Sequence, residues 1–214
     1  MLQQGSDTTR QRLARAALDL YTTVGFQATT TPMLAERAGV AEGTIYRHFK
    51  SKVALLNEVY REAQQWGTAV LCEETARGLD APETLRRIAR CLTETAARSP
   101  AVVRMLLQER GADYGRHLDE RSREARHEFR AALRHIVATG KSDGMVRPGT
   151  ADLWASVWLT VIGFVAERVC AREWMPDHPH AAAVYEAAWS AVSDTTNPVP
   201  AKGPGLTESA TNEL

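Results

Sequence analysis

Between residues 42 and 52 the chain reads EGTIYRHFKSK, and within it Glu42, Thr44, Tyr46, Arg47, His48, Lys50 and Lys52 alternate with the apolar Ile45 and Phe49. The polar set holds hydroxyls, an imidazole, a guanidinium and two ammonium groups. These are the groups that bond to phosphate oxygens and to the edges of bases. A helix face that merely meets water favours paired Glu and Lys instead. Other chemistry finds little support. No G-x-S-x-G, H-E-x-x-H, P-loop or G-x-G-x-x-G occurs, so nothing points to catalysis or to a cofactor, and no enzyme is expected. His178 and His180, in DHPH, have no further clustered ligands and read as exposed loop imidazoles, with no metal site. Cys72, Cys91 and Cys170 are odd in number and far apart, which suits reduced core thiols of a cytosolic protein.

The polar run needs elements to position it. Leu13, Ala17, Leu20 and Val24 form one apolar stripe on a first helix, capped by Asp7 or Thr8 and ended at Gly25. Thr30 or Thr31 caps a second helix with Pro32 in its first turn, and Gly39 stops it. A third is expected from about 41 to 49. Two short helices around a Gly turn, the second with a polar outer face, describe a helix-turn-helix, whose second helix fits the major groove of duplex DNA. Ser51 then caps a long fourth helix to about residue 75. Five more are expected at about 81–97, from 100, 115–139, 150–173 and 180–193. Alanine is abundant and β-branched alternation scarce, so the expected fold is all-α, with about nine helices.

The run from Gly39 to Lys52, with Thr29, Thr30, Leu34 and Ala35 before it and Val24, Gly25 and Phe26 at the first turn, closely resembles the recognition motif of the TetR family of bacterial transcriptional regulators. The resemblance covers about the first quarter of the chain. It implies a ligand-responsive repressor that binds a palindromic operator as a homodimer in the bacterial cytoplasm. It also implies roles by position. Lys52, Tyr46 and His48 fall at phosphate contacts, Thr44 at a backbone or thymine-methyl contact, and Glu42, Gly43 and Arg47 at base-reading positions. Thr30 and Thr31 are placed to donate to phosphate, and Arg10 to reach backbone or minor groove. Pro32 departs from the family, which often has a polar or basic residue there.

Composition bounds the rest. The formal net charge is zero, yet residues 1–53 carry seven Lys/Arg against four Asp/Glu, so positive charge gathers on the segment expected to meet DNA. Only four lysines occur, too few for a non-specific nucleoid protein. The uncharged, apolar run 153–166 is short of the roughly 20 residues that span a bilayer, so no membrane partner is expected. The expected organisation is a helix-turn-helix DNA-binding domain at 1–51, a ligand-binding and dimerisation domain at 52–194 and a disordered tail at 195–214. The eighth helix is apolar all round and the ninth is rich in alanine. Leu153, Val157, Val161, Phe164, Val165, Ala183 and Ala187 are therefore expected at a symmetric interface. Trp66, Met105, Gln108, Glu109, Tyr114, Phe129 and Trp158 are expected around a small-molecule pocket. A helical enzyme or ligand carrier that keeps the motif as scaffold is the competing class.

Overall fold

The structure, a computed structural model, describes residues 8–107 and 113–194. Gln108, Glu109 and the expected tail lie outside the described residues.

Capping chemistry sets where the helices begin. Thr8 accepts from the Gln11 amide while the Gln11 side chain bonds back to the Thr8 nitrogen at 2.9 Å, a capping box that opens α1 (Thr9–Thr23). Thr30 caps α2 (Thr31–Ala38), which ends at Gly39 in the left-handed region, φ +63°, a conformation that glycine adopts without penalty. The expected third helix is shorter than its pattern suggests. A single 3₁₀ turn over Glu42–Thr44 leads into α3 (Ile45–His48). Ala41 has no side-chain acceptor to cap this start, and Gly43 weakens helix formation.

Ser51 accepts from the Ala54 amide at 3.0 Å and opens α4 (Lys52–Thr75). Asp80 does the same for α5 (Ala81–Arg98), accepting from Glu83. After Ser99 comes α6 (Pro100–Leu107). The seventh helix does not start at residue 115. Gly115–His117 forms a separate 3₁₀ turn, and α7 (Glu120–Ser142) begins where Asp119 accepts from the Ser122 amide at 2.8 Å. α8 (Ala151–Cys170) and α9 (Pro179–Val192) complete an all-α fold, and among the described residues the only extended pairing is an isolated bridge between Val146 and Ser193.

Two hydrophobic cores result. The first joins Leu13, Ala17, Tyr21, Leu34, Ile45 and Phe49 to Leu55, Leu56, Val59 and Tyr60 of α4, and also to Met105, Tyr114 and Leu118. The expected boundary after residue 51 therefore cuts through one packed unit, because the first half of α4 is the floor on which α1–α3 rest. The second core gathers α5, α7, α8 and α9 around Leu92, Phe129, Trp158, Ile162 and Val169. α8 is long and apolar enough to cross a membrane by length and composition, but it packs on α5, α6, α7 and α9 as the central rod of this core.

Two glycines inside helices have opposite reasons to be there. α7 runs straight through Gly140, where a Cβ would lie 2.6 Å from the Cβ of Ala81, so only glycine lets α5 and α7 approach this closely. At Gly163 in α8 a Cβ would meet nothing within 4 Å. Gly140→Ala is expected to cost about 1–3 kcal/mol by overpacking, and Gly163→Ala to add about 0.5–1 kcal/mol by restricting the unfolded chain and favouring helix. Denaturant unfolding of the two variants beside the parent checks both signs.

Candidate nucleic-acid interface

α3 and the turn before it are anchored from beneath. Ile45 is fully buried and Phe49 nearly so, and they pin the segment to α1 and α4. A helical repeat that buries these two positions turns their neighbours outward. Tyr46 is 58% exposed, Arg47, Gly43 and Glu42 are exposed, and Thr44 and His48 are half-buried. Glu42, Gly43, Tyr46 and Arg47 therefore lie on the surface of this segment, opposite its buried anchors.

Several of the expected contacts are already engaged within the protein. Thr31 donates from its hydroxyl to the Glu42 carboxylate at 2.9 Å, which ties the start of α2 to the turn before α3. Thr30 spends its hydroxyl oxygen on the Met33 amide. Two further roles need correction. Lys52 does not point outward. Its ammonium donates to the carbonyls of Phe26 and Thr29, both at 2.8 Å, and lies 4.4 Å from the centroid of the Phe26 ring. The chain between α1 and α2 leaves those carbonyls without helical partners, and a long cationic stem on α4 reaches them. Arg10 is likewise held. It pairs with Glu58 of α4, donates to the His48 carbonyl at 3.0 Å and covers the Phe49 ring at 4.6 Å. These two cations brace the motif against α4, so the outward positive charge is left chiefly to Arg47 and Lys50.

The motif is also gripped from the other half of the chain, which no sequence pattern announces. Asp113 accepts from the backbone amides of Phe26 at 3.1 Å and of Gln27 at 2.6 Å. His117 packs on Phe26, with ring centroids 5.1 Å apart, and its Nε2 lies 2.9 Å from the Gln27 side-chain nitrogen. Asn57 of α4 donates to the His117 carbonyl and accepts from the Asp119 amide and the Ser122 hydroxyl. Residues 113–119, ahead of α7, therefore form a strap across the α1–α2 turn, held to that turn by Asp113 and His117 and to α4 by Asn57.

The expected pocket and interface residues divide. Phe129 and Trp158, each 2% exposed, belong to the second core, while Met105 and Tyr114 belong to the first. Trp66 packs against the second core from its edge. None of them lines the cleft of about 520 Å³ that lies between α6, α7 and α8 and is bounded by Val103, Arg104, Leu107, Arg130, Leu159 and Gly163. Large aromatic side chains at helical spacing were drawn into packing rather than left around a void. On α8, Leu153 and Phe164 are 51% and 47% exposed, Val157 and Val161 are half-buried, and Ala183 and Ala187 are exposed on α9. Val165 is fully buried and is no interface residue, since one step along a helix turns a side chain by about 100°.

Comparison with known proteins follows the same geometry. Residues 13–59, from α1 into the first half of α4, match the family described as bacterial regulatory proteins, tetR family. An uncharacterized HTH-type transcriptional regulator of Bacillus subtilis, YvkB, is 27% identical over 164 residues, which is 75% of this chain and 83% of that protein. The class C tetracycline repressor protein of Escherichia coli is 48% identical over 48 residues, 22% of either chain. The crystal structure of a TetR family transcription regulator from Marinobacter aquaeolei matches with a TM-score of 0.72 at 22% identity, over 87% of this chain and 96% of that one. The motif, its bracing on α4 and the helical frame behind it agree with these likenesses: residues 13–59 carry the DNA-binding segment of the tetR family of bacterial regulatory proteins, on a fold shared with solved TetR family regulators.

Proposed function

We propose that this DNA-binding regulator is a cytoplasmic repressor that works as a homodimer on a palindromic operator and releases it when a small molecule binds the C-terminal half. The observation that carries the reading is the exposed face of Tyr46 and Arg47 on a segment whose underside is locked by Ile45 and Phe49. Arg47 donates in pairs to a guanine, Tyr46 and His48 contact phosphates, and Thr44 meets backbone or a thymine methyl. The apolar strip of Leu153, Val157, Val161 and Phe164 beside Ala183 and Ala187 supports pairing with a second copy, because an exposed run of this kind is stabilised when a like surface covers it. Two reading faces in one dimer would then enter successive major grooves, about 34 to 36 Å apart.

The test is selection of bound duplexes from a random pool, followed by titration of the enriched and a scrambled duplex at two salt concentrations. A regulator gives a two-fold symmetric consensus, a preference of roughly 10³-fold or more, and an affinity that falls with salt. Recovery of no consensus, with equal weak binding to both duplexes, would end this reading.

A further inference from the structure

The cleft between α6, α7 and α8 has a floor of Val103, Leu107, Leu133, Ala155 and Leu159. Its volume of about 520 Å³ is within the range of small-molecule sites. Gly163 faces it, and this position is where the chain forgoes helix stability for no packing reason of its own. At Gly67 a Cβ would press on Leu106 at 2.7 Å, and at Gly140 on Ala81, so those two are explained by neighbours. At Gly163 the space kept clear is the cleft itself.

The charges around the cleft are unevenly covered. The Arg104 side chain is only 17% exposed, while its partner Glu167 is 58% exposed and bonds to it at 3.2 and 3.4 Å, both long for a charged pair. Asp152, 68% exposed, reaches outward to Arg134 at 3.3 Å. The carboxylates are thus the more exposed groups and the Arg104 side chain the more covered one, and Arg104 and Arg130 line the cleft together with its apolar residues. We infer that this cleft binds an amphipathic monocarboxylic acid, whose apolar body lies over Gly163 and whose carboxylate takes the place of Glu167 on Arg104. This rests on the ligand-responsive reading above and makes the cleft its effector site. Such a ligand exchanges a long, solvent-facing ion pair for a shorter one sheltered by its own apolar chain. Binding there would act on α6, whose chain leads into the strap that holds the α1–α2 turn through Asp113.

The experiment is calorimetric titration of the full chain with octanoate, octanol and octylamine, on the parent, Arg104→Gln and Gly163→Leu. Octanoate is expected to bind at least tenfold more tightly than octanol, and octylamine more weakly than either. Arg104→Gln should abolish the preference for the acid over the alcohol, and Gly163→Leu should weaken all three by tenfold or more while leaving thermal unfolding no lower. Equal binding of acid and alcohol, or acid binding unmoved by Gly163→Leu, overturns the assignment. A change of oligomeric state in Gly163→Leu without any effect on octanoate means that a second copy covers the cleft, and also overturns it. Octanoate bound with no change in operator affinity removes the effector role. Failure to select any operator removes the regulator reading alone, since octanoate binding is measured without DNA.

Discussion

Replacing Arg47 by alanine should relax the preference for one base pair in each half of the operator and leave binding to scrambled DNA nearly unchanged. Arg47 is exposed on α3, whereas Arg10 and Lys52 are engaged in bracing the fold. A guanidinium bonded in pairs to a guanine discriminates by about 1–3 kcal/mol, and a dimer places two such contacts, so the loss on the enriched duplex should reach about 2–6 kcal/mol. The stability of the free protein should not move. Titrations of the enriched duplex, of a duplex altered at the guanine and of a scrambled duplex separate the outcomes. An equal loss on all three would assign Arg47 to phosphate and not to a base. Lys52→Ala behaves differently. It leaves the carbonyls of Phe26 and Thr29 without their donor, so its first effect is on folding of the N-terminal unit and only then on DNA.

Asp113→Ala should loosen the α1–α2 turn without unfolding the chain. The carboxylate holds two backbone amides from an exposed position, and removing both bonds is expected to lower local stability by about 1–3 kcal/mol. Amide exchange at Phe26 and Gln27 should speed up by roughly tenfold or more, while exchange in α8 stays as it was. Operator affinity should fall as well, because a reading face with more orientations is in the competent one less often. Asp113→Asn keeps a carbonyl oxygen to accept one bond but loses the charge, so it should lie between the parent and alanine. Unchanged exchange at residues 26 and 27 in the alanine variant would show that the strap has no hold on the motif.

What could be read in the sequence was whatever depends on near neighbours. Capping by Thr8, Thr30 and Ser51 and the stop at Gly39 act within one or two turns, and each is found where its pattern places it; the stripe on α1 holds at Leu13 and Ala17, whereas Val24, beyond the helix end, is 45% exposed. The start of α7 was misplaced because Gly115 resembles a helix boundary as much as Asp119 does, and only the packing of Leu118 into the first core decides between them. The inward turn of Lys52 depends on carbonyls 23 and 26 positions away, and the Asp113 strap on amides 86 and 87 positions away. No periodicity carries such information. Met105, Tyr114, Phe129 and Trp158, expected around a pocket, are packed into the two cores for a related reason. Aromatic residues on helices mark burial, and burial alone does not tell a filled core from a cavity.

The brevity of the reading element has a consequence for how a genome is addressed. One 3₁₀ turn of three residues and an α-helix of four span about 12 Å, which is the length of roughly four base pairs. A word of about four letters recurs once in some 256 positions, so a single copy would be lost among the roughly 10⁶ or more decoys a chromosome offers. Joining two copies squares that rarity instead of doubling it. Economy in one short rod therefore makes symmetry a requirement of information as well as of architecture.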